Sequence, residues 1–81
     1  LYDDLIVEIR NVSLQVKGVE STEKWFIRKE GMKYHVDLHA IVNANISVRE
    51  GHDISHLLKD TLRAEIPELG HVLIHIEPSY Y

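Results

Sequence analysis

Histidines and carboxylates recur in this chain at spacings that could gather a cation. His35, Asp37 and His39 alternate in one stretch, His71, His75 and Glu77 cluster in another, and His52 precedes His56 by one helical turn. The chain has no cysteine, which removes both a disulfide frame and a thiolate site, so a metal would have to be held by imidazole and carboxylate. About four such ligands surround a zinc ion, at bond lengths of about 2.0 to 2.2 Å. Thirteen acidic residues against nine basic ones give a formal charge of −4. There is no basic cluster, so no nucleic-acid partner is expected and cations are the natural ligands.

The elements that position these residues can be read from periodicity. Leu1, Leu5, Ile6, Ile9, Val12 and Val16 recur at helical spacing, with Gly18 where a C-terminal cap belongs. From about Ser21 to Glu30 the β-branched and aromatic content rises; Gly31 punctuates, and Met32 to Val42 alternates apolar and polar residues, which predicts a hairpin. Residues 43–46 are loop-like. Ser47 followed by Glu50 makes a capping box opening a second helix, with apolar stripe Ile54, Leu57, Leu58 and Leu62. Pro67 stops that helix, Gly70 marks a turn, and His71 to Glu77 alternates before Pro78. The predicted order is αββαβ within a single domain of 81 residues. A chain this short, 44% hydrophobic and 27% charged, has ordinary globular composition and modest expected stability, which makes oligomerisation or bound metal relevant. No apolar run is long enough to span a bilayer or serve as a signal peptide. The start at Leu1, directly in a helical pattern, suggests a piece of something longer.

Strand parity then sorts the candidate ligands. Tyr34, Val36, Leu38, Ala40 and Val42 form the core set of the second strand, leaving His35, Asp37 and His39 on the other face. On the third, Val72, Ile74 and Ile76 face the core, while His71, His75 and Glu77 face outward. Two helices cover one face of a three-stranded sheet, so the ionisable face is open or pressed against another subunit. A right-handed crossover makes the second and third strands parallel. Their C-terminal ends then share an edge with the start of the second helix, where His39, His52, His75 and Glu77 are expected to converge. His35 and Asp37 lie earlier on the same face, where a second ion could bind. The competing readings are a solvated strand face or a dimer contact for His35, Asp37 and His39, and solvated surface histidines for His56 and His71. Trp25 and Ile27 are expected in the core or at a dimer interface.

Several segments also carry a family resemblance. Gly18–Glu20, Ile27–Lys29, Gly31, the run Val36, Asp37, Leu38, His39, the tripeptide Glu50, Gly51, His52 and the ending Val72–Pro78 resemble the cytosolic C-terminal domain of the cation diffusion facilitator transporters. The likeness covers about residues 5–78. It implies an α+β, metallochaperone-like (ferredoxin-like) αββαβ open-faced sandwich, with a three-stranded mixed sheet and two helices on one face. It also implies a V-shaped homodimer beneath the protein's own transmembrane domain, on the cytoplasmic face of a membrane, expected to be a bacterial inner membrane. Bound divalent metal, Zn2+ first, with Fe2+, Mn2+, Co2+ and Cd2+ as alternatives, would close the dimer and regulate efflux. The ligand positions carried over are His39, His52, His75 and Glu77. Some members place a histidine where this chain has Glu23, and others bind through the position of Asp37 with an aromatic at that of His35. A regulatory domain of this kind is expected to take no small-molecule substrate and to perform no catalysis. The rival readings are a metal-independent dimerisation domain and an ACT-like small-molecule regulatory module; an acylphosphatase-like hydrolase lacks its glycine-rich arginine loop here.

Overall fold

The computed structural model describes residues 2–80, in the order α1 (Asp3–Ser13), β1 (Ser21–Glu30), β2 (Lys33–Val42), α2 (Val48–Glu65) and β3 (Leu69–Pro78). The sheet order is β1-β2-β3, with β1 and β2 antiparallel and β2 and β3 parallel. The αββαβ order, the hairpin and the parallel crossover are those predicted. No described helix is long and apolar enough to cross a membrane.

Hydrophobic burial fixes which face of the sheet the helices cover. Val36, Leu38 and Ala40 of β2 are fully buried and Val42 nearly so, against Ile9 of α1 and Leu58 and Leu62 of α2. Each fully buried Val, Leu or Ile side chain among them contributes about 1.5 to 3 kcal/mol by leaving water. The stripe of α2 differs in two places from the expected one: Leu57 is exposed, and Ile66, just past the helix end, is fully buried. The turn that reverses the chain therefore adds a core residue of its own.

α1 stops at Ser13 rather than running to Val16. Hydrogen bonds from Gln15 N to Val12 O and from Val16 N to Ser13 O, 3.1 and 3.0 Å, tighten the chain into successive three-residue turns, the common way a helix end satisfies its carbonyls. Val16 still reaches the core, so its spacing recorded burial, not helix. Leu1 lies outside the described residues. Gly18 then takes φ +97°, and a Cβ there would lie 2.7 Å from Ile54 Cδ1 on α2.

Two strand irregularities orient the face opposite the helices. Between Glu23 and Phe26 the β1–β2 register shifts by one residue, and Lys24 sits at φ +57°. This bulge lets Thr22, Trp25 and Ile27 face the helices while Glu23 and Phe26 face away. β3 begins at Leu69, and Gly70 is inside it rather than in the preceding turn, which Pro67 and Glu68 form. A Cβ on Gly70 would meet Lys33 Cβ at 3.1 Å and His35 Cε1 at 3.2 Å, so the absent side chain admits the His35 ring.

α2 enters through the predicted capping box. Glu50 N donates to Ser47 Oγ at 3.0 Å and Ser47 N to Glu50 Oε1 at 3.4 Å. Gly51, one residue on, is buried, and its Cα side faces Ile76 Cγ2 of β3 and Ile46 Cδ1. The helix start is thereby pinned to the last strand, with His52 immediately after it.

Candidate metal centre

The register places Glu23, His39 and His75 in one row across the three strands: Glu23 pairs with His39, and His39 with His75. Alternation puts Glu77 on the same face two residues beyond His75. Glu23, Ile41 and Glu77 line a shallow depression of about 460 Å³ there, with Lys24, Pro78, Ser79 and Tyr80.

His39 is the key side chain of the row. Its Nδ1 is buried and has no hydrogen-bond partner; the nearest acid oxygen, Glu77 Oε2, is 3.8 Å away, too long for a hydrogen bond. An imidazole nitrogen and a carboxylate facing each other across that gap gain from a cation between them. One ion bound by both at about 2.1 Å would separate nitrogen and oxygen by about 3.4 Å in tetrahedral geometry, a few tenths of an ångström less than found. The His39 and His75 ring centroids are 4.9 Å apart. Two imidazoles on one ion place their centroids about 4.5 Å apart at a right angle and about 5.2 Å apart at the tetrahedral angle. His39 thus lies near both Glu77 and His75, within a few tenths of an ångström of separations that a shared ion would set. Among the described residues, however, no group of three or more such side chains stands ready to hold one, so His75 or Glu77 must turn to complete a set.

The other sequence candidates lie apart from this row. Asp37, half-buried, faces Arg28 Nη1 at 3.6 Å, so an ion there would compete with a guanidinium. His35 is engaged: its Nδ1 accepts from His71 N at 3.0 Å, across the irregularity opened by Gly70, and its Nε2 faces Glu30 at 3.8 Å. The His35 and His71 rings are 6.2 Å apart, which a single ion would span only in near-linear geometry. His52 points elsewhere. It lines a cleft with Ile74, Ile76 and Pro78, and its ring packs on His56 at a centroid distance of 4.4 Å. Ile74 and Ile76 alternate with His75 and Glu77, so His52 lies on the helix side of the strand.

Two further residues of the open face escaped the sequence reading. Phe26 and Leu73 both pair with Asp37, one from each side, and are 61% and 44% exposed. The parity of Leu73 was available from its neighbours in β3; that of Phe26 depends on the bulge, which leaves no composition signal.

Residues 1–79 match the family described as the cytoplasmic domain of cation efflux proteins. The chain belongs to that family. Metal tolerance protein C1 of Arabidopsis thaliana is 31% identical over 72 residues, 89% of this chain and 15% of the relative. The manganese efflux system protein MneP of Bacillus subtilis is 23% identical over 77 residues, 95% of this chain and 26% of the relative. This cation efflux domain thus spans about a sixth to a quarter of the curated relatives it matches. Among solved structures, a nickel form of a MamM CTD variant superposes with a TM-score of 0.91 at 16% identity, covering 95% of this chain and 98% of that one. A cadmium form of another variant gives 0.93 at 15% identity, covering 98% and 99%. The domain therefore has the ferredoxin-like α+β fold of those neighbours, and its family is a transport-protein domain rather than an enzyme.

Proposed function

We propose that this cation efflux domain is the metal-sensing dimerisation module of a longer transporter, lying at the cytoplasmic face of the membrane that its transmembrane part spans. The buried, partnerless Nδ1 of His39, facing Glu77 and next to His75 on the uncovered sheet face, carries this reading. His39, His75 and Glu77 hold the ion, with Glu23 completing the row and Asp37, flanked by His35, offering a second position once Arg28 is displaced. Zn2+ suits imidazole with carboxylate, as do Fe2+, Mn2+, Co2+ and Cd2+.

The electrostatic logic follows from the face itself. When two copies meet through it, Glu23 and Glu77 of each approach their counterparts, and like charges oppose closure. A divalent cation between them removes that repulsion. Closure is favoured by the ion's greater affinity for the closed state, and every 1.4 kcal/mol of that difference shifts the balance about tenfold. His52 sits outside this set in the described conformation and joins it only by swinging around the rim.

Zinc calorimetry and small-angle scattering on the wild type and on His39→Ala/His75→Ala test this. Loss of zinc binding and of zinc-dependent compaction in the double variant supports it. Unchanged stoichiometry and compaction would instead support dimerisation without metal, for which the exposed Phe26 and Leu73 supply the apolar contact.

A further inference from the structure

The geometry points to a separate cation site on α2, formed by His52 and His56. The resemblance uses only His52 and assigns it to the sheet; the structure pairs it with the next histidine on its own helix. We propose that these two rings chelate a late first-row divalent cation, independently of the site on the open face.

Residues four apart on a helix lie one above the other on the same face, and both histidines are exposed. Their centroids are 4.4 Å apart and their planes inclined at 58°. Two imidazoles bound to one ion at about 2.1 Å have centroids about 4.5 Å apart when the bonds meet at 90°, and about 5.2 Å apart at the tetrahedral angle. The observed separation lies within reach of one shared ion. Imidazole pairs of this kind suit late first-row divalent ions, with water in the remaining positions. The pair on the sheet, His39 and His75, is similarly close at 4.9 Å, on the other face of the sheet.

The helix around the pair is held in place on both sides. The Ser47–Glu50 capping box fixes its first turn, buried Gly51 seats it on Ile76, and Ser55 Oγ donates to His52 O at 2.7 Å. The two rings therefore stand on rigid backbone, and binding the second follows the first at high local concentration. Lys59 lines the same depression as His56 and opposes a cation. Asp60, one helical turn beyond His56, continues the stripe with the opposite charge.

NiCl2 titration of the 81-residue chain at pH 7.5, followed by paramagnetic broadening of backbone amide resonances, decides the matter. Broadening centred on residues 52–56 is expected in the wild type and in His39→Ala/His75→Ala. His56→Gln keeps the helix and a polar side chain and should move that broadening to about tenfold or more higher Ni2+ concentration. Absence of broadening at 52–56 in the wild type, or the same Ni2+ dependence in His56→Gln as in the wild type, overturns the proposal. So does its disappearance in His39→Ala/His75→Ala, which would return His52 to the sheet site. Loss of the sheet site alone leaves the helix site standing.

Discussion

Gly18→Ala probes how the α1–β1 turn sets the position of α2, and with it the helix that carries His52 and His56. At φ +97° a side chain pays the left-handed penalty of about 1 to 2 kcal/mol, partly offset by the stiffer unfolded chain, about 0.4 to 1 kcal/mol. The new Cβ would lie 2.7 Å from Ile54 Cδ1, an overpacked contact that costs about 1 to 3 kcal/mol to relieve. The net loss is about 2 to 4 kcal/mol. For a domain of this size that lowers Tm by roughly 10 to 25 °C. Ile54→Val removes the offending methyl, so a double-mutant cycle by urea denaturation should show Gly18→Ala costing about 1 to 2 kcal/mol less when Ile54→Val is already present. A cost below about 0.5 kcal/mol in the wild type, or the same cost in both backgrounds, would refute the reasoning.

Leu38→Ala empties a fully buried position on the central strand and should cost about 2 to 5 kcal/mol in chemical denaturation. Ser47→Ala removes the acceptor of Glu50 N and should cost about 1 kcal/mol, read as a Tm lower by about 4 to 8 °C. Phe26→Asp adds charge to an exposed position on the open face; monomer stability should stay within about 0.5 kcal/mol while sedimentation shows weakened dimerisation. Zinc needs neutral imidazoles, so affinity should be weaker at pH 5 than at pH 7.5. Equal calorimetric affinity at pH 5 and pH 7.5 would contradict imidazole ligation.

Much of the open face was legible because strand alternation is a strict rule. Val36, Leu38 and Ala40 had to share a face, which put Asp37 and His39 on the other, and the parallel crossover then set His39 beside His75. What alternation cannot reveal is an irregularity in it. Lys24 gives no sign that β1 is bulged, so Phe26 and Glu23 could not be assigned to the open face. His52 shows a second limit. Its place at the start of α2 suggested the shared rim, but a helix packed on one side of a sheet directs its side chains to that side, and buried Gly51 brings it close enough for His52 to meet Ile74 and Ile76 instead. Val16 shows a third, since apolar spacing reports which residues are buried and not whether helix continues to them.

The bulge at Lys24 gives β1 one residue more than its partner requires. Removing an amino acid from a strand ordinarily turns everything beyond it inside out. Here, excising Lys24 would leave Thr22, Trp25 and Ile27 inward and Glu23 and Phe26 outward, and would discard the backbone's single non-glycine excursion to positive φ among the described residues. At this position the chain can be shortened without scrambling the sheet, so length variation in β1 is compatible with an unaltered open face.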